Sequence, residues 1–148
     1  KRNSGIMIHC QPPESISLNQ NFPLSIEVQL LGGIDETVKR PTGNLCTPGT
    51  NVVMDGNLKT DHCTESNSKT FYGEQWVTAE VIVKNDTITH KINNEIVLSY
   101  SKPQIGGDLS DFPEEWQAKD GELLKGGYIS LQSESHPVEF KNIEILKL

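Results

Sequence analysis

The sequence predicts an all-β fold, an antiparallel sandwich of two sheets. Three observations lead there. Period-two alternation of apolar and polar residues dominates over any helical period. Turn dipeptides separate the alternating runs. One stretch alone looks helical. In Ser25-Ile26-Glu27-Val28-Gln29-Leu30, Ile26, Val28 and Leu30 share one face, and Ser25, Glu27 and Gln29 the other. Val77 to Lys84 repeats the pattern, with Val77, Ala79, Val81 and Val83 on the apolar side. Asn85-Asp86 turns the chain into a returning strand, Thr87 to Ile92. Asn93-Asn94 turns it again into Glu95 to Tyr100, because Asn tolerates the left-handed backbone of tight hairpins. Gly127 to Gln132 and Val138 to Leu146 read as two more strands, which makes six or seven in all. The helical stretch is 113–119, with an early proline, an acidic start and a late lysine. It sits inside a long connection, Ser101 to Lys125, of a length that is often functional.

The chain has 148 residues, enough for one domain, and we expect a single domain over 1–148. Its opening, Lys1-Arg2-Asn3-Ser4-Gly5-Ile6, reads like the edge of a strand. We therefore expect further strands before Lys1, or another chain, to complete the sandwich. Thirteen Lys and Arg stand against 20 Asp and Glu, for a net charge of −7. That balance argues against phosphate-rich partners, nucleic acid and anionic membranes alike. No apolar run approaches the roughly 20 residues that span a bilayer. Phosphate-binding glycine loops, Gly-x-Ser-x-Gly elbows, His-Glu-x-x-His pairs and EF-hand loops are missing, so nucleotide and serine-hydrolase chemistry are disfavoured.

Three cysteines are present, Cys10, Cys46 and Cys63, so one is left over from any pair. Cys46 and Cys63 flank a segment rich in Gly, Asn, Thr, Pro and Asp that has little apolar surface to hold it. A disulfide there would stabilise the fold by roughly 3 kcal/mol and would point to an extracytoplasmic protein. Two reduced cysteines, or a zinc site with His62, are the alternatives, the latter without the usual paired spacing.

Glu27 and Gln29 face either bulk solvent or a concave binding surface. Gln132, Glu134 and His136 share one parity, opposite to Ile129 and Leu131. A carboxylate and an imidazole two residues apart can couple for acid–base work, or hydrogen-bond sugar hydroxyls. Trp76 and Trp116 could stack on sugar rings, and Trp116, in the long connection, is the better candidate for a lid. His9, His62 and His90 are unaccompanied and read as structural.

Five segments in order carry a family resemblance: Asn3-Ser4-Gly5-Ile6; Ile26-Glu27-Val28-Gln29; Gly73-Glu74-Gln75-Trp76; Ile88 to Asn94; and Ile129-Ser130-Leu131-Gln132 with His136-Pro137-Val138-Glu139-Phe140-Lys141-Asn142-Ile143. Together they resemble the 3-keto-disaccharide hydrolase domain over nearly the whole chain. The resemblance implies a concanavalin A-like or laminin G-like jelly roll, of which this chain would be the C-terminal portion. It implies bacterial proteins of carbohydrate catabolism, periplasmic or secreted, often lipoproteins. It also implies a hydrolase or lyase that cleaves glycosides whose sugar is oxidised at carbon 3. The alternative on the same fold is a non-catalytic carbohydrate-binding or assembly module.

Carried over residue by residue, Glu27 and His136 are the expected proton-transfer groups. Asn3, Gln29, Gln132, Glu134 and Trp116 are the expected substrate contacts. No cofactor and no metal ligand is assigned, and a divalent metal is left open. In two respects the chain departs from the family: the family's opening strands are missing, and its late segment differs. Between Gln132 and His136, where a glycine and a histidine are common, it has Ser133-Glu134-Ser135.

Overall fold

A computed structural model describes residues 2–134 and 136–148. Lys1, in the expected opening strand, and Ser135, in the departure just noted, lie outside the described residues. Two antiparallel five-stranded sheets face each other as a jelly-roll sandwich. The first sheet contains β1 (Asn3–Cys10), β2 (Ile26–Leu31), β3 (Asn44–Cys46), β6 (Cys63–Thr64) and β10 (Tyr128–Glu134), in the order β10-β1-β2-β3-β6. The second contains β4 (Thr50–Met54), β5 (Asn57–Lys59), β7 (Ala79–Lys84), β8 (Thr87–Ile92) and β9 (Glu95–Ile105), in the order β5-β4-β9-β8-β7. One α-helical turn, α1 (Glu114–Gln117), lies within the expected 113–119.

The alternation read in the sequence sets which residues of each strand face the opposite sheet. Ile8, Ile26 and Leu45 from the first sheet meet Val52, Ile88, Leu98 and Tyr100 from the second. Phe71, Ile92 and Val97 form a second cluster, against which Leu30, Val77 and Ala79 pack. At the other end Leu24, Ile105 and Phe112 form a third. The β7-β8-β9 meander turns at Asn85 and at Asn93-Asn94, all with positive φ, as the turn residues required. His90 is fully buried in the core. One ring nitrogen lies 2.8 Å from the Gly43 carbonyl and the other 2.7 Å from the Tyr100 hydroxyl. Burial lowers its pKa to about 4, so it stays neutral.

Three expectations change. The connection expected from Ser101 starts later, because β9 runs on to Ile105 alongside β4. Pro103 is tolerated there because β8 pairs with β9 only as far as Ser101, so no ladder partner needs its missing N–H. β3 to β6 are short strands whose pairing, not alternation, defines them. Val138 to Leu146 forms no strand. A strand needs a partner ladder, and no described residue pairs with this segment, leaving Ile143, Ile145 and Leu146 exposed. β10 is likewise an edge, and its core-side Ile129 and Leu131 remain 55% and 41% exposed.

Cys46 and Cys63 form a disulfide across directly paired positions of β3 and β6, closing a 17-residue separation, and Cys10 is a buried free thiol. Reduction is expected to lower the unfolding free energy by about 3 kcal/mol in denaturant titrations. A Cys46→Ser/Cys63→Ser double variant should show the same loss and no further response to reductant.

Candidate functional site

The outer face of the first sheet is where the polar alternation converges. The register places Gly5 of β1 between Gln132 of β10 and Gln29 of β2. One pair further along, Met7 lies between Ser130 and Glu27. In the opposite direction Asn3 lies between Glu134 and Leu31. β3 adds Asn44 opposite Gln29, and Cys46 opposite Glu27. Side chains two apart on a strand share a face. Asn3, Glu27, Gln29, Asn44, Gln132 and Glu134 therefore form one polar surface around Gly5.

Gly5 is the centre of this arrangement for a steric reason. A Cβ at that position would stand 2.8 Å from Glu27 Oε1 and 2.9 Å from Gln132 Oε1. The missing side chain leaves room for two oxygens to close over the strand. Among the described residues neither oxygen has a hydrogen-bond donor, although both are buried, and the same holds for Asn3 Oδ1. Three orphaned acceptors on one surface are a set waiting for donors. Glu27 is 5% exposed. Burial, and then the neighbouring Glu134 carboxylate, push its pKa up to about 7. Glu134 is held differently, accepting from Asn3 Nδ2 at 2.5 Å. Gln29 Oε1 accepts from Asn44 Nδ2 at 3.2 Å, which turns the Gln29 NH2 outward.

His136 lies just past the end of β10. Its Nδ1 is 3.3 Å from the Asn3 backbone nitrogen and 3.0 Å from the Glu134 carbonyl oxygen. It accepts from the first when bare and donates to the second when protonated, never both. The expected contact between the Glu134 carboxylate and the imidazole is absent, because that carboxylate is engaged by Asn3. A cavity of about 730 Å³ opens beside His136 and is walled by Phe71, Trp76 and Phe140. Glu27, Gln29 and Gln132 do not border it. Ser4 and Leu30, from the core side of the first sheet, line it together with Val77 and Ala79, so it is an opening between the sheets.

Trp116 is not brought to this surface. Its ring packs against Leu24, Ile105 and Phe112, since α1 covers that end of the core. The residues that sequence reasoning missed are Gly5 and Asn44. Gly5 was legible as an alternation partner of Asn3, but the approach it permits is a cross-strand property. Asn44 sits in a three-residue strand with no pattern of its own.

The family model described as the 3-keto-alpha-glucoside-1,2-lyase-like domain matches residues 1–146. The chain belongs to this family. No curated protein and no solved structure matches it. The polar surface around Gly5 is thus carried by a 3-keto-glycoside lyase-like domain, and four of its members, Asn3, Glu27, Gln29 and Gln132, come from the segments that resembled the family. Among the described residues no three His, Cys, Asp or Glu side chains are grouped to hold a metal ion. No helix among the described residues is long and apolar enough to cross a membrane.

Glu27 and His90 have opposite pH signatures. Glu27 binds its proton more tightly folded than unfolded, so its contribution to stability is present below about pH 4.5 and is lost as pH rises through about 7. His90 binds its proton less tightly folded, so its contribution grows as pH rises from about 4 to 6.5. Each is worth on the order of 3 kcal/mol across its window. A Glu27→Gln variant should be more stable than the wild type above pH 7 and should gain stability steadily from pH 4 to 7. A His90→Gln variant should lose stability over the same interval. Urea midpoints measured against pH check both signs.

Proposed function

We propose that this domain cleaves 3-keto-glycosides by elimination, with Glu27 as the base. A ketone at carbon 3 acidifies the hydrogen on carbon 2. Glu27, ionised, takes that proton. The C–H electron pair moves into the bond between carbons 3 and 2 as the ketone becomes an enolate. Collapse of the enolate forms a double bond between carbons 2 and 1 and breaks the bond from carbon 1 to the glycosidic oxygen. His136, in its protonated form, gives a proton to that departing oxygen. Water adds to the unsaturated sugar afterwards, so the net change is hydrolysis. Gln29 offers its NH2 to the carbon-3 oxygen, where negative charge develops. Asn3, Gln132 and Glu134 take the sugar hydroxyls, and the orphaned oxygens of Asn3 and Gln132 receive the hydroxyl hydrogens.

The observation that carries this reading is the buried, unpartnered Glu27 carboxyl with a pKa near the working pH, the property a general base needs. Family membership supports the substrate class. The disulfide is compatible with a periplasmic or secreted setting. We also infer that the domain, one unit over 1–148, is completed by strands from another segment of its polypeptide or from another chain. The exposed Ile129, Leu131, Ile143 and Ile145 support this, since edges and apolar faces of this kind are normally covered.

The test is incubation with a 3-keto-glucoside and measurement of released aglycone. The rate should rise with pH up to about 7, as Glu27 ionises. Glu27→Gln should lower kcat by about 10²–10⁴-fold, and His136→Ala should slow release most for poor leaving groups. Release that survives both substitutions would remove the assignment. Sugar binding without release would favour the non-catalytic module.

A further inference from the structure

We propose that Asn44 is a positioning residue that locks the Gln29 side-chain amide with its NH2 toward the substrate, an inference that rests on the reading just given for Gln29. One donor beside Asn44 has an unambiguous identity. The backbone N–H of Ser66 is buried and donates to Asn44 Oδ1 at 2.9 Å. A backbone nitrogen cannot accept, so the atom of Asn44 that faces it must be the oxygen. Asn44 Nδ2 then has to face the other way. It donates to Gln29 Oε1 at 3.2 Å. The atom of Gln29 that meets Asn44 is therefore its oxygen, and its Nε2, with no partner among the described residues, is left to the site.

The starting point of this relay is itself fixed. Ser66 Oγ donates to the Thr42 carbonyl at 2.7 Å and accepts from the Ser68 backbone N–H at 3.1 Å. Asn44 and Ser66 are 4% and 3% exposed, so water does not compete for these bonds. The Cys46–Cys63 disulfide ties the segment that carries Ser66 to the strand that carries Asn44. Reversing the Asn44 amide would set NH2 against the Ser66 N–H, and reversing Gln29 would set NH2 against the Asn44 NH2. Both reversals leave buried donors facing donors, which protein interiors exclude.

The consequence is chemical. A locked amide presents donors only at the position where oxygen gains negative charge, and it needs no reorganisation as the charge appears. A free glutamine would spend part of its time with the carbonyl oxygen there, repelling the enolate.

A double-mutant cycle on the full chain with a 3-keto-glucoside tests this. Gln29→Ala should lower kcat by about 10²-fold, the usual loss for one such donor. Asn44→Ala should lower kcat by roughly tenfold, with KM within about twofold and the pH midpoint unmoved. In the Gln29→Ala background, Asn44→Ala should cost nothing further. An additive loss would overturn the proposal, because a merely structural role acts whether or not Gln29 is present. Should Asn44→Ala fold poorly, Asn44→Asp keeps an acceptor for Ser66 but draws the Gln29 NH2 to itself, and its maximal kcat should fall more than tenfold. An unchanged maximum would count against the relay. The side-chain amide protons of Gln29, followed by nitrogen-edited NMR, give a readout free of turnover. Asn44→Ala should shift or broaden them, and an unaltered pair would overturn the locking. Absence of aglycone release by the wild type would defeat the reading in which Gln29 serves the ketone, and would leave the NMR experiment to decide the locking alone.

Discussion

The absence of a side chain at Gly5 is the constraint on which the site depends. It lets Glu27 Oε1 and Gln132 Oε1 close over the central strand from opposite sides, in space that a methyl group would fill. Once there, the Glu27 carboxyl is cut off from water and has no donor of its own. Its charged form is disfavoured, and the nearby Glu134 carboxylate disfavours it further. An ordinary surface glutamate is ionised and a poor base at neutral pH. This one is held near the pH at which a base is most useful. The fold gives up stability to keep it there, since an ionised carboxylate in that place weakens the folded state.

The same sheet treats its two carboxylates unequally. Asn3 donates to Glu134 and keeps it engaged, whereas Glu27 has no such donor. Two acids on one face thereby sit in different surroundings, one buried without a donor and the other hydrogen-bonded, which suits one to act and the other to bind or orient. The surface is supported from the side of β3, where the disulfide, Ser66 and Asn44 hold Gln29. The core beneath it is closed by His90, bound at both ring nitrogens and kept neutral by burial. The frame and the site thus place opposing demands on protons. His90 must stay unprotonated for the core to hold, while Glu27 is held protonated until the pH rises.

The strands with clear alternation were legible before the structure: β2, β7, β8 and most of β9 follow from apolar spacing and from asparagine turns. The disulfide was legible as one of three alternatives, and the pairing of β3 with β6 brings its two sulfurs together. β3, β4, β5 and β6 were not legible. They are two to five residues long, too short for a period to show, and exist through their neighbours. Val138 to Leu146 shows the converse. Its pattern is strand-like, but a pattern without a partner ladder makes no strand. Trp116 looked available because it lies in a long connection, yet the apolar end of the core draws it in.

The parity of Glu27 and Gln29, and of Gln132 and Glu134, followed from the sequence alone, because side chains alternate along any strand. So did the family, since the segments that carry the resemblance are contiguous. Which strands stand side by side was a tertiary decision. It placed β1 between β10 and β2, and so turned four residues from distant segments into neighbours. It also decided that Glu27 is buried without a donor, that Asn3 engages Glu134, and that Asn44 governs Gln29. Those are properties of cross-strand distance, and no spacing along a single chain encodes distance across a sheet.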